Sequence, residues 1–282
     1  MSARPFVKMH GLGNDVVILD ARAEPLPIDA ATARWIADRR RGVGCDQVVV
    51  IEPPANGRAD AFLRFYNADG GQAQACGNGT RCVAALLMDD SGSQRITLET
   101  VAGLLAGSRG ADGRLTVDMG PAKTEWREIP LARACDTLHV DLALGPLTDP
   151  VAVNMGNPHA VFFVPDVTAI DIAALGPKLE HDPIFPERAN IGIAQVIGPD
   201  HLRLRVWERG AGLTQACGSG ACAAAVAAIR RGLTGRTVTL DLDGGAIEIT
   251  WRDADGHVLM TGPVATAFTG TLDLDARQRA RA

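Results

Sequence analysis

Apolar and polar positions alternate in short runs along most of the chain. They predict strands over residues 6–9, 16–19, 47–51, 61–66, 96–99, 115–118, 202–207, 238–242, 247–251 and 258–260. In Leu202-Arg203-Leu204-Arg205-Val206 the apolar side chains occupy every second position, which gives one buried face and one wet face. Helical spacing is rarer and predicts helices over 32–40, 79–88 and 220–231. The last of these ends in Arg230-Arg231 followed by Gly232, basic residues at the negative end of the helix dipole and then a stop residue. The second and third helices are apolar nearly all round, through Cys82-Val83-Ala84-Ala85-Leu86-Leu87 and Ala221-Cys222-Ala223-Ala224-Ala225-Val226-Ala227-Ala228-Ile229. A helix without a polar face must be enclosed, so each is expected at the centre of its own sheet.

The chain repeats itself. Gln74-Ala75-Cys76-Gly77-Asn78-Gly79 returns as Gln215-Ala216-Cys217-Gly218-Ser219-Gly220, at an offset of 141 residues in a chain of 282. Upstream at the same offset, Leu63-Arg64 matches Leu204-Arg205 and Gly71 matches Gly212. Met119-Gly120-Pro121-Ala122 is echoed by Met260-Thr261-Gly262-Pro263-Val264-Ala265, so each half closes with the same strand and Gly-Pro phrase. Fainter echoes link Gly13-Asn14 to Gly156-Asn157 and Gln47-Val48 to Gln195-Val196. The expected fold is therefore a mixed α/β protein of the α+β type with two pseudosymmetric domains, each a mostly antiparallel sheet wrapped around a central helix. The expected halves are 1–120 and 121–263. A final strand over 264–268 lacks a counterpart at the end of the first half and is expected to cross back to the N-terminal domain with the rest of 264–282. The charged tail 273–282 is expected to fray.

Composition narrows the partners. A formal charge of −5 with 4% aromatic residues argues against nucleic acid, which calls for a basic surface and stacking rings. The longest apolar run, 221–229, is too short to span a bilayer, and residues 1–13 lack a signal-peptide pattern, so no membrane partner and a cytoplasmic location are expected. Small metabolites remain. Six cysteines are too few and too irregularly spaced for a disulfide framework. No Cys-x-x-Cys pair and no His-x-x-x-His pair occurs, so no metal site is expected, and no nucleotide fingerprint or pyridoxal-lysine segment points to a cofactor.

The repeated motif carries the chemistry. Each of Cys76 and Cys217 stands just before a glycine-rich turn that opens a buried helix, where the dipole favours thiolate. Amides of Gly77, Asn78, Gly218 and Ser219 in those first turns form anion-binding cradles. If both helix starts face one interdomain cleft, one carboxylate can take hydrogen bonds from both, and the two thiols can reach opposite faces of one carbon. The plainer alternative is that buried cysteines flank glycine turns for packing alone, which is the reading preferred for Cys45, Cys82, Cys135 and Cys222. Glu208-Arg209 follows the strand leading to Cys217 just as Asn67 follows the strand leading to Cys76; a surface ion pair is the alternative there. His159 is the one histidine in a Gly-Asn-Pro turn with a polar neighbour.

Seven motifs in order resemble the diaminopimelate epimerases: Met9-His10-Gly11-Leu12-Gly13-Asn14-Asp15, Gly42-Val43-Gly44-Cys45-Asp46-Gln47, Asn67-Ala68-Asp69-Gly70, Ala75-Cys76-Gly77-Asn78-Gly79-Thr80-Arg81-Cys82, Gly156-Asn157-Pro158-His159, Glu208-Arg209-Gly210-Ala211-Gly212 and Ala216-Cys217-Gly218-Ser219-Gly220-Ala221-Cys222. The resemblance covers essentially the whole chain. Val16 and Trp207 depart from the family's usual phenylalanine and tyrosine, and Leu213 from a common polar residue. The resemblance implies cofactor-independent interconversion of LL- and meso-2,6-diaminopimelate, in lysine and peptidoglycan precursor synthesis, by Cys76 and Cys217 as two bases. It implies that the amides of Gly77, Asn78, Gly218 and Ser219 hold the reacting carboxylate. The remaining substrate groups would fall to Asn14, Gln47, Asn67, Asn157, Asn190 and Arg209, with His159 and Glu208 tuning the thiols. It also implies a homodimer. Two alternatives stay open from the residues alone: another cofactor-independent racemase of this fold, such as one acting on proline, and a thiol-disulfide redox protein that joins the two cysteines.

Overall fold

A computed structural model describes residues 3–55, 57–74 and 76–274. It divides into two units, one made of the residues up to Val117 together with those from Pro263 onward, the other spanning Asp118–Gly262. The expectation for the tail falls largely on 275–282, outside the described residues.

The first unit begins with β1 (Arg4–Gly11) and β2 (Asn14–Asp20), continues through α1 (Ala30–Ala37), β3 (Gln47–Glu52), β4 (Ala61–Asn67) and β5 (Gln72–Ala73), and reaches α2 (Gly77–Ser91). Then come β6 (Arg95–Thr100), β7 (Gly103–Arg109) and β8 (Leu115–Pro121), whose end carries the chain into the second unit. There a two-residue pair, β9 (Ala143–Leu144) and β10 (Leu147–Thr148), precedes β11 (Val151–Asn154), β12 (Pro158–Phe163), α3 (Ile172–Glu180), β13 (Asn190–Gly198), β14 (His201–Glu208) and β15 (Gly212–Leu213). After α4 (Gly218–Arg230) the unit closes with β16 (Thr237–Leu242), β17 (Gly245–Trp251) and β18 (His257–Gly262), and β19 (Ala265–Leu272) returns to the first unit.

The two ladders are the same. In the first unit β1 to β4 are neighbours in order, followed by β6, β7 and β8, with β2–β3 and β4–β6 parallel and the other pairs antiparallel. In the second, β11 to β14 are followed by β16, β17 and β18, with β12–β13 and β14–β16 parallel. The short β5 and β15 fold back on β4 and β14. Register makes the equivalence residue by residue. Val16 stands opposite Gln47, and Gln47 opposite Asn67; His159 stands opposite Asn190, and one step beyond the Ile191–Trp207 pair Asn190 meets Glu208. The structural partner of Gln47 is thus Asn190, not Gln195 as the sequence echo implied. Asn14 and Asn157 do correspond, each two residues before the matched position.

Both central helices are enclosed as expected. Val16, Ile18, Val49, Ile51, Leu63 and Phe65 pack with Val83, Leu87 and Met88 of α2. Their alternate neighbours Val17, Leu19, Val48 and Val50 pack on the other side with Ala33 and Ile36 of α1, so β2 and β3 read as continuous apolar runs because both faces are covered. In the second unit Ala160, Phe162, Ile191 and Ile193 pack with Ile172 and Leu179 of α3. Residues 220–228 of α4 are all buried.

Boundaries differ from the sequence expectation where caps decide. α1 starts earlier because Asp29 accepts from the Thr32 N–H at 2.6 Å, and ends at Asp38, whose carboxylate takes the amides of Arg40 and Arg41. α2 and α4 start at Gly77 and Gly218, two residues before the expected starts at 79 and 220. α3 was not expected; it contains Gly176 and Pro177, residues that ordinarily disfavour a helix interior. Its glycine is demanded by tertiary packing, as a Cβ there would lie 2.5 Å from Trp207 Cγ. Nor is β19 without a counterpart: after Gly120-Pro121, Lys123 exchanges two backbone hydrogen bonds with Asn154 of β11, at 3.0 and 2.9 Å, where β19 makes a full ladder with β1.

Candidate active site

In each unit a cysteine is the cap of the central helix. Cys76 is extended, at φ −145° and ψ 116°, and its Sγ accepts a hydrogen bond from Gly79 N–H at 3.5 Å. Cys217 repeats this at φ −113° and ψ 109°, with Gly220 N–H at 3.4 Å. Sulfur here fills the place usually given to a serine, threonine or aspartate oxygen. The first intrahelical bonds reach from Thr80 to the Cys76 carbonyl and from Ala221 to the Cys217 carbonyl. The preceding N1 and N2 amides, of Gly77, Asn78, Gly218 and Ser219, have no carbonyl behind them in the helix. The third residue must be glycine for space rather than for φ: a Cβ on Gly79 would meet Phe65 Cε1 at 2.9 Å, and one on Gly220 would meet Val206 Cγ2 at 3.0 Å and Cys217 Sγ at 3.2 Å.

Around Cys76 the first unit gathers amides at one end of its sheet. Gln47 Nε2 donates to Asn67 Oδ1 at 2.8 Å, which leaves the buried Gln47 Oε1 with no protein partner. Asn14 Nδ2 donates to Asp46 at 3.0 Å, and Asn14 Oδ1 accepts from Asn78 Nδ2 at 3.3 Å. Asn78 Oδ1 accepts in turn from Arg81 Nη2 at 2.8 Å. Asp46 itself is clasped to Asp15, each carboxylate accepting the other's backbone N–H at 2.9–3.0 Å, and Arg39 bridges both. Burial raises Asp46. Burial also acts to raise Asp15, but hydrogen bonds from Arg39 and Lys8 outweigh it and hold that carboxyl below the usual range.

Around Cys217 the second unit places charge. Its Sγ lies 3.6 Å from Ser219 Oγ, and Glu208 is a hydrogen-bond partner of the thiol. Burial first, and then the Glu208 carboxylate, push this thiol well above its ordinary pKa; the Ser219 hydroxyl and Gly220 amide oppose them without winning. The helix start alone therefore does not make Cys217 a thiolate, contrary to the expectation from its dipole. Thr214 Oγ1 donates to Glu208. His159 is buried and donates from Nε2 to Asn157 Oδ1 at 2.8 Å, while burial and the charge of Arg209 lower its pKa to about 3. It is a neutral imidazole. Asn190 gives Nδ2 to the Pro158 carbonyl at 3.0 Å and takes Arg209 N–H at 2.9 Å, and the Arg209 guanidinium bonds the Glu187 carbonyl at 2.8 Å.

The profile of the family described as diaminopimelate epimerase matches residues 6–125 and 151–267. The diaminopimelate epimerase of Rhodospirillum centenum is 62% identical over 95% of this chain and 92% of its own, and that of Acidiphilium cryptum 59% identical over 96% and 97%. The chain belongs to the diaminopimelate epimerase family. It is an isomerase of the epimerase class. Solved structures share the fold at low identity: a hydroxyproline epimerase from Agrobacterium vitis, with bound trans-4-hydroxy-L-proline, has a TM-score of 0.68 at 17% identity over 97% of this chain and 93% of that one. A PhzF-family phenazine biosynthesis protein from Bacillus anthracis has a TM-score of 0.68 at 14% identity, over 97% and 100%. Among the described residues no helix is long and apolar enough to cross a membrane, and no group of three or more His, Cys, Asp or Glu is arranged to hold a metal ion.

Within the first unit of this family member the structure joins Asn14 to Asn78 in the first turn of α2, which Cys76 caps, and pairs Gln47 with Asn67. Within the second it draws Asn190, Glu208, Arg209 and Cys217 together at the start of α4, with Asn157 bonded to His159. Sequence reasoning missed four supports. Asp15, Asp46 and Arg81 tie down the asparagines, and Glu180 holds the Glu208-Arg209 turn by accepting Trp207 Nε1 at 2.8 Å and Gly210 N–H at 3.1 Å. The signals for two of them were present: Arg81 is a lone charge at the head of an apolar helix, and Asp46 sits between a cysteine and a glutamine inside a motif.

Proposed function

We propose that this epimerase interconverts LL- and meso-2,6-diaminopimelate by two-base proton transfer at one α-carbon, with Cys76 and Cys217 as the bases. The observation that carries this reading is the pair of cysteine caps, each with its sulfur on a third-residue amide beside two first-turn amides. One thiolate removes the α-proton. The charge that develops on the substrate carboxylate is met by the Gly77, Asn78, Gly218 and Ser219 amides, and the opposite thiol returns a proton to the other face. Burial and Glu208 favour the protonated form of Cys217, which suits it to return the proton in one direction; the roles of the two cysteines exchange in the other. Gln47 Oε1 supplies an acceptor for an ammonium group, and Arg209 a donor for a second carboxylate. Neutral His159 holds Asn157 rather than carrying charge.

The reaction so drawn uses protein groups alone. It serves lysine and peptidoglycan precursor synthesis in the cytoplasm, and the family resemblance adds a homodimer, for which light scattering is expected to give twice the chain mass. The substrate reading is tested by removing the distal amino group from the substrate: turnover is expected to be lost, and rapid racemisation of proline would contradict it.

A further inference from the structure

The first unit holds a continuous polar chain that begins at the surface and ends in the core. Arg39, more than half exposed, bonds Asp46 Oδ1 at 2.8 Å; Asp46 Oδ2 accepts from Asn14 Nδ2 at 3.0 Å; Asn14 Oδ1 accepts from Asn78 Nδ2 at 3.3 Å; and Asn78 Oδ1 accepts from Arg81 Nη2 at 2.8 Å. Its two ends impose opposite chemistry. An ionised carboxylate only accepts, so Asn14 must turn its NH2 toward Asp46 and its oxygen toward α2. A guanidinium only donates, so Asn78 must turn its oxygen toward Arg81 and its NH2 toward Asn14. An asparagine amide is otherwise nearly symmetric in shape and free to flip. Here neither can flip without setting donor against donor or acceptor against acceptor along the chain.

The backbone is built around this arrangement. Arg81 is fully buried, and a Cβ on Gly11 would lie 2.8 Å from its Nη2, so residue 11 is glycine to admit the guanidinium. Asp46 cannot drift from Asn14 because the Asp15 N–H also holds its Oδ2 and the Asp15 carboxylate holds its N–H. Asn78 is the second residue of α2, beside Cys76, so whatever fixes its side chain fixes the first turn that carries the proposed carboxylate cradle.

We infer that Asp46 and Arg81 are positioning residues that lock the amide orientations of Asn14 and Asn78 from opposite ends, and so set which face of Asn14 meets substrate and hold the first turn of α2 in place. This deepens the proposed function and rests on it for the kinetic effect alone. Once Asn14 Nδ2 is committed to Asp46, one N–H and one oxygen lone pair of Asn14 remain for ligand. Asp46→Asn removes the obligatory acceptor while keeping shape, and Arg81→Lys keeps the charge while losing the fork. The lock also predicts energetic coupling between two residues that are separated along the chain of bonds by two asparagines.

The test has two arms. In 15N-labelled protein, the side-chain NH2 signals of Asn14 and Asn78 are expected to be dispersed and slow to exchange. Both should lose protection in Asp46→Asn while the backbone spectrum stays that of a folded protein. In steady-state kinetics, Asp46→Asn and Arg81→Lys are each expected to lower kcat/KM about tenfold or more, as for loss of a charge-assisted hydrogen bond. The double variant should lose much less than the product of the two. Unchanged amide protection in Asp46→Asn, or losses that simply multiply in the double variant, would overturn the inference. A wild type with protected amides and no epimerase activity would leave the lock standing and remove the proposed function instead.

Discussion

At the scale of single residues, burial and the Glu208 carboxylate set the state of the second cysteine. Burial is the larger cause of the raised Cys217 pKa and Glu208 the next, so Glu208→Gln should lower it without restoring an ordinary thiol. Ultraviolet thiolate absorbance of a variant retaining Cys217 but carrying Cys76→Ser measures this; no shift, or an upward one, would contradict the assignment. His159 gives a second prediction. Its native pKa of about 3 lies below the unfolded value of 6.5, so the unfolded chain binds the extra proton first as pH falls. Stability from this group is complete above about pH 6.5 and is lost as pH drops toward 3, with a slope of at most about 1.4 kcal/mol per pH unit. Denaturant melts should show that slope reduced in His159→Gln. The residues proposed to bear the chemistry stand out in the sequence because duplication marks Cys76 and Cys217 and the family motifs mark the amides around them. Arg39 and Glu180 were not, because a surface-exposed arginine and a helix-end glutamate look the same in sequence whether or not the fold turns them onto a neighbour.

At the scale of elements, the cysteine caps explain why the repeated motif is so constant in shape. Serine is a good helix cap and nearly isosteric, so Cys76→Ser and Cys217→Ser should keep stability within about 1 kcal/mol while losing the proposed base. The matching glycines are less forgiving. Gly79→Ala forces a methyl against Phe65 and should destabilise by about 1–3 kcal/mol, with activity falling as the first turn of α2 shifts. Thermal melts at matched pH would check both, and a Gly79→Ala protein as stable and active as the wild type would contradict this account of the turn. Strands with strict alternation and the two all-apolar helices were readable from period alone. α3 was hidden because the packing of Trp207 requires Gly176, which in sequence reads as a breaker. The two-residue advance of α2 and α4 was hidden because glycines and a polar residue lead each helix.

At the scale of the whole molecule, the repeated ladder assigns matched positions unequal residues. Val16, Gln47 and Asn67 in one unit stand where His159, Asn190 and Glu208 stand in the other. The polar residues of the first set are amides that accept and donate without net charge; the second brings a carboxylate against its thiol and an arginine beside it. Sequence motifs already paired Asn67 with Glu208 and Asn14 with Asn157, but strand register was needed to pair Gln47 with Asn190, since Gln195 resembles Gln47 in sequence and lies elsewhere in the ladder. That inequality is what a two-base reaction needs if one thiol is to begin as acid and the other as base. The most direct measurement is incubation of LL-diaminopimelate in deuterated water with the wild type, Cys76→Ser and Cys217→Ser, following α-deuteration and configuration together. The wild type should yield α-deuterated product with epimerisation, and each variant should fail to epimerise. Full epimerisation with α-deuteration in either variant would contradict the two-thiol account.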